Sequence, residues 1–122
     1  MAKVLIIDDV LGVRRSIAGV LSRAGHEIEE AADGLAGIEV ARRCRPDIAV
    51  VDMLMPEQDG LETLEQLRAG GLAGKLIAIS GGGALIDAED ALSASQNLAD
   101  ATIRKPFENN ELISLVNSLG EE

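Results

Sequence analysis

The sequence predicts an α/β domain, a doubly wound five-stranded parallel sheet with five helices on its two faces. Three observations carry this expectation. Five short apolar runs, at residues 3–7, 27–31, 47–51, 75–79 and 100–103, are separated by stretches with helical spacing. The first, third and fourth runs are almost uninterrupted in apolar residues, the pattern of strands covered on both faces. Strand and helix alternate throughout, and such alternation brings right-handed crossovers between parallel strands, with helices packed on both sides of the sheet.

The elements follow in order. Residues 3–7 open the sheet. Val13, Ile17, Val20, Leu21 and Ala24 then share one face of a helix that Gly25 ends. After the strand at 27–31, Asp33-Gly34 is the entry turn to a helix over 34–44. The strand at 47–51 is followed by a helix marked by Leu61, Leu64 and Leu67 and closed by Gly70-Gly71. Behind the strand at 75–79, Leu85, Ala88 and Leu92 mark a fourth helix. The strand at 100–103 leads to a last helix with Leu112, Leu115, Val116 and Leu119 on one face.

Composition narrows the function. The 122 residues suit one domain, so residues 1–122 are expected to form a single unit with no output domain attached. Phe107 is the sole aromatic, so the core must be Val, Ile, Leu and Ala, and base stacking is not available to a single-stranded nucleic-acid reader. A formal charge of -10, from 21 acids against 11 bases, argues against nucleic acid and anionic membrane as partners. It is compatible with a divalent cation. Cys44 and His26 are each alone, which leaves no intramolecular disulfide and no multi-histidine metal site. No apolar run approaches the ~20 residues of a membrane span, and because residues 1–9 lead directly into the first strand, no secretory leader is expected. The expected location is the cytoplasm.

The chemistry gathers at strand ends. Asp8 and Asp9 close the first strand and Asp52 closes the third. Neighbouring strand ends lie close together in a parallel sheet, so the three carboxylates are expected to share a pocket. Clustered carboxylates raise each other's pKa unless a cation joins them, and Mg²⁺ suits one or two carboxylates plus phosphate oxygens and water. Helix capping is an ordinary use of Asp8-Asp9, but it leaves a third Asp at a second strand end unexplained. Ser80 ends the fourth strand ahead of Gly81-Gly82-Gly83, where a hydroxyl and backbone N–H groups suit an anion. The fifth strand ends in Arg104-Lys105-Pro106-Phe107, and Lys105 is placed to neutralise negative charge at the same edge.

These stretches (VLIIDD, VVDMLMPEQDG, IAIS and KPF) resemble the receiver domain of two-component response regulators over essentially the whole chain. The Asp-x-x-Met-Pro-x-x-x-Gly pattern falls on Asp52, Met55, Pro56 and Gly60. The resemblance implies a flavodoxin-like strand order, 2-1-3-4-5. It implies that Asp52 is the phosphoacceptor and that Asp8, Asp9, Asp52 and the backbone carbonyl of Leu54 bind Mg²⁺. It further implies that Ser80 and Lys105 contact the phosphoryl group and that the bond to Pro106 is cis.

The implied partners are a histidine kinase or histidine phosphotransferase and an unknown downstream protein, with the chain a monomer or weak homodimer. The implied role is signalling through phosphorylation-dependent protein binding, or a phosphotransfer intermediate or sink, and not a turnover enzyme. A Mg²⁺-dependent hydrolase with an aspartyl nucleophile fits less well, because such enzymes generally place a second Asp two positions after the first and residue 10 is Val.

Two departures from the family stand out. Thr102 occupies the position that usually holds the aromatic half of the switch. The interval from Ser80 to Lys105 is also longer than usual, which predicts a displaced or short fourth helix and an altered signalling surface.

Overall fold

Which residues enter the sheet is decided by pairing as much as by hydrophobicity. In the computed structural model, which describes residues 1–53, 60–80 and 98–120, the order is β1 (Lys3–Ile7), α1 (Leu11–Arg23), β2 (Glu27–Ala31), α2 (Gly34–Cys44), β3 (Ile48–Asp52), α3 (Gly60–Gly70), β4 (Lys75–Ser80), β5 (Ala101–Arg104) and α4 (Asn109–Gly120). The segment holding Leu54, Met55 and Pro56 lies outside the described residues. So do the Ser80 side chain, Gly81-Gly82-Gly83 and the helix expected around Leu85, Ala88 and Leu92.

All five strands are parallel, in the order β2-β1-β3-β4-β5. The ladder carries three strands one residue past their apolar runs. Asp52 pairs with Ile79, and Ser80 pairs with Arg104.

The period of two in each strand sorts its side chains between two cores. Leu5, Ile7, Ala49, Val51 and Ala78 face α2 and α3, packing with Ile38, Ala41, Leu64 and Leu67. Val4, Ile6, Ile48, Val50, Ile77, Ile79 and Ile103 face α1 and α4, packing with Ile17, Leu21, Leu112 and Val116. The described residues thus form four helices on two faces of one sheet. β2 is an edge strand, and it is correspondingly the most polar, with Glu27, Glu29 and Glu30 among its five residues. α1 ends where expected: Gly25 sits at φ 100°, a left-handed conformation that glycine adopts without strain.

One polar anchor ties the far edge together. Asp100 Oδ2 accepts hydrogen bonds from the Leu76 N–H (2.8 Å) and from Arg68 of α3 (2.9 Å), and Arg68 also donates to the Leu98 carbonyl. Burial alone would raise the Asp100 carboxyl, but these hydrogen bonds and the Arg68 and Lys75 charges outweigh it and hold the group below its ordinary value. A carboxyl depressed in the folded state stabilises above its unfolded pKa, and that stabilisation is lost as pH falls through the folded one. We therefore expect Asp100→Asn to cost about 1 kcal/mol at neutral pH, since the Arg68 partner is partly solvated. The difference from wild type should shrink below pH 4, as read by urea titrations at several pH values.

Candidate functional site

The parity that builds the α1/α4 core also builds the site. Asp8 continues the Val4, Ile6 row one step past β1, Asp52 continues the Ile48, Val50 row, and Lys105 continues from Ile103. All three therefore leave the sheet on one face at the carboxyl edge of their strands. Asp8 and Asp52 are almost completely buried, 1% and 3% exposed, and Asp9 beside them is exposed. Carboxylate oxygens of Asp8, Asp9 and Asp52 lie within 4.8 Å of one another. Lys105 Nζ stands 3.8 Å from Asp8 Oδ2 and 4.0 Å from Asp52 Oδ2, across the mouth of the cluster. Its peptide bond to Pro106 is cis.

The two oxygens of Asp8 have different environments. Oδ1 accepts a hydrogen bond from the Val10 N–H at 2.9 Å, fixing the turn out of β1. The N-terminus of α1 is Val10 with no side-chain cap, so Asp8 braces the turn and does not cap the helix. Oδ2 is buried and accepts no hydrogen bond among the described residues. Burial lifts the Asp8 carboxyl above its ordinary value. The Val10 N–H pulls it down, the Asp52 charge pushes it up, the Lys105 ammonium pulls it down and Asp9 pushes it up again, with a net rise. A buried acceptor with no donor is costly, and a cation bound between the acids removes that cost. Three carboxylates with one orphaned oxygen form an all-oxygen donor set for a hard divalent ion of the Mg²⁺ type. The residues present fit such an ion.

The structure thus brings Asp8, Asp9, Asp52 and Lys105 together. Thr102 lies mid-β5, half-buried and paired with Ala78, on the sheet face opposite Ile103 and one step short of the Asp52 level. The Ser80 backbone is in β4 beside Arg104.

Two contributors to the site were not apparent from spacing. Arg14 of α1 donates to the Asp8 backbone carbonyl through Nη1 (2.9 Å) and to Glu30 Oε1 through Nε (3.1 Å). Opposite charges on adjacent elements are too common in sequence to signal such a brace. Gly60 opens α3 directly against the end of β3: a Cβ there would fall 2.5 Å from the Asp52 carbonyl oxygen and 2.5 Å from Met53 Cα. Gly60 belonged to the sequence pattern, but nothing in the pattern says which backbone it meets.

Comparison with known proteins agrees with this geometry. A family model described as the response regulator receiver domain matches residues 4–117. Response regulator MprA of Mycobacterium leprae (strain TN) is 34% identical over 117 residues, covering 96% of this chain and 50% of the relative. That of Mycobacterium ulcerans (strain Agy99) is 33% identical, covering 96% and 49%. The chain spans about half the length of the curated relatives it matches.

Among solved structures, the receiver domain of NtrX from Brucella abortus superposes with a TM-score of 0.85 at 29% identity, covering 97% of this chain and 98% of that one. The chemotaxis protein CheY4 of Vibrio cholerae gives 0.83 at 26% identity and covers 98% of each chain. The sheet order, the edge on which the acids and lysine meet, and these likenesses point one way: the chain belongs to the response regulator receiver domains of two-component signalling systems.

Proposed function

We propose that Asp52 accepts a phosphoryl group, in a Mg²⁺-dependent reaction, from a phosphohistidine of a histidine kinase or histidine phosphotransferase. The phosphorylated form then signals by binding a downstream protein. The observation that carries this reading is the meeting of Asp8, Asp9 and Asp52 within 4.8 Å, with Lys105 at their mouth.

An oxygen of the Asp52 carboxylate attacks phosphorus. The P–N bond to the donor imidazole breaks as the P–O bond of an acyl phosphate forms, and the electron pair leaves with the imidazole. Catalysis of such transfer is mostly positioning and neutralisation of charge. Asp52 is positioned by its place at the end of a buried strand, where its nucleophilic oxygen has little rotational freedom. Lys105 offsets charge on the equatorial oxygens, and Asp8 and Asp9 with Asp52 hold the cation. Mg²⁺, when bound, supplies the larger part of the charge neutralisation in the transferring group.

The product adds roughly -1.5 to -2 charge to a site already rich in acids. The Ser80 hydroxyl is the group assigned to donate to the new oxygens. Thr102 offers no ring to follow it, so readout rests on the Ser80 side of the site.

Incubation with acetyl phosphate and Mg²⁺, followed by intact-mass measurement, should show one added phosphoryl group, and a chelator added beforehand should prevent it. A chain that binds Mg²⁺ yet gains no mass would sink the proposal.

A further inference from the structure

We infer that Arg14 and Glu30 form a positioning pair that sets the Asp8 carboxylate for the divalent cation, without either residue touching the ion. This rests on the proposed metal reading of the site.

The argument starts from how Asp8 is held. It lies one residue past the end of β1. Its N–H still donates to the Ala31 carbonyl of β2 at 3.1 Å. Its carbonyl, which has left the ladder, accepts from Arg14 Nη1 at 2.9 Å. The same guanidinium donates through Nε to Glu30, which precedes Ala31 on β2. The planar fork of Arg14 thus connects the Asp8 main chain to the strand that holds its other end.

With its backbone fixed on both sides and Oδ1 committed to Val10 N–H, Asp8 has one side-chain oxygen left, and that is the buried Oδ2, which accepts no hydrogen bond among the described residues. The brace leaves Asp8 a single outcome for that oxygen: it faces the cluster.

Charge supports the same reading. An unpaired guanidinium this close to the acids would compete with a cation for them. The Arg14 side chain is 13% exposed and paired with Glu30 at 3.1 Å, so its charge is satisfied away from the pocket. Arg15 also approaches Glu30, at 3.9 Å, but its side chain is 72% exposed, and it is Arg14 that donates to the Asp8 carbonyl. Arg14 is the member whose geometry reaches the site. Partners that orient metal ligands in this indirect way commonly carry about 10- to 100-fold in metal affinity or activity.

The test measures Mg²⁺ binding by calorimetry without any phosphodonor, together with phosphorylation by acetyl phosphate across a Mg²⁺ series. Arg14→Met keeps the aliphatic stem and removes the fork. We expect Mg²⁺ affinity to fall about tenfold, with phosphorylation recovering to near the wild-type rate at saturating Mg²⁺. Glu30→Ala should weaken Mg²⁺ in the same direction. Glu30→Gln keeps an acceptor oxygen for the Arg14 Nε–H and should restore most of the affinity, which a general loss of stability would not do.

Unchanged Mg²⁺ affinity in Arg14→Met and Glu30→Ala, with wild type binding normally, overturns the inference. So does a deficit in Glu30→Gln equal to that in Glu30→Ala. If Arg14→Met fails to fold, the two Glu30 variants decide the matter. Wild type that binds no Mg²⁺ overturns the metal reading itself, a distinct result.

Discussion

Asp52→Asn is expected to take up no phosphoryl group from acetyl phosphate at any Mg²⁺ concentration, and to melt at a higher temperature than wild type when Mg²⁺ is absent. The first effect is chemical: an amide oxygen of the same shape is not a competent nucleophile. The second follows from the charges in the cluster. Three carboxylates crowd together, and the Lys105 ammonium lies within ion-pair reach of two of them, closer to Asp8 Oδ2 than to Asp52 Oδ2. Asp52 is among the groups that push the Asp8 carboxyl up. A carboxyl raised in the folded state subtracts stability once pH exceeds its unfolded pKa, so at neutral pH the ionised cluster opposes folding. Removing the Asp52 charge relieves that opposition, and Lys105 keeps its partner in Asp8.

Adding Mg²⁺ should then reverse the order, stabilising wild type more than the variant by mass action on the better site. Intact mass reads the first effect and thermal melts with and without Mg²⁺ read the second. Mass gain by the variant would place the acceptor elsewhere. A lower melting temperature without Mg²⁺ would mean that attraction to Lys105 outweighs repulsion among the acids. A site that is costly when empty of cation and useful when charged is a familiar trade between stability and activity.

How much of this could be read from the chain depends on which physical rule each feature obeys. Strand parity is a rule of the backbone alone, so the rows Val4–Ile6–Asp8 and Ile48–Val50–Asp52 are visible in sequence and the structure finds them on one face. Helix 34–44 was legible because Asp33 supplies an N-cap: its Oδ1 accepts from the Ala36 N–H at 2.8 Å, and the helix begins there. Strand ends were misplaced by one residue in β3, β4 and β5, since ladder partners extend a strand beyond its apolar core and partners are not local. The Arg14–Glu30 brace depends on two elements being adjacent in space, and opposite charges at many other spacings would have looked the same. A lone cysteine is commonly a small buried hydrophobe, and Cys44 departs from that pattern. It is only half-buried, at the last turn of α2, where its carbonyl accepts from Lys3 Nζ. The altered signalling surface predicted from the long Ser80–Lys105 interval falls on residues outside those described.

Gly60→Ala and Gly12→Ala are expected to move stability in opposite directions, although both put alanine in the first turn of a helix. In each case alanine lowers the entropy of the unfolded chain and favours helix, a gain of up to about 1 kcal/mol. At Gly12 nothing lies within 4 Å of the added Cβ, so the gain stands. At Gly60 the added carbon meets the Asp52 carbonyl oxygen and Met53 Cα, both at 2.5 Å, and the Met53 sulfur at 2.9 Å. The first two are backbone and cannot rotate away. Either the start of α3 lifts from the sheet, uncovering Leu64 and Leu67, or the end of β3 moves. Overpacking of this kind costs roughly 1–3 kcal/mol, more than the propensity gain. Denaturant unfolding should therefore show Gly12→Ala slightly more stable than wild type and Gly60→Ala less stable by about 2 kcal/mol. The carbonyl that clashes is that of the proposed acceptor itself. Gly60→Ala should accordingly also slow phosphorylation by acetyl phosphate at saturating Mg²⁺, because a displacement of even an ångström at a reacting carboxylate can cost about 100-fold in rate. A variant that loses stability but labels at the wild-type rate would show that α3 yields and β3 does not, and that Asp52 is held by the sheet alone.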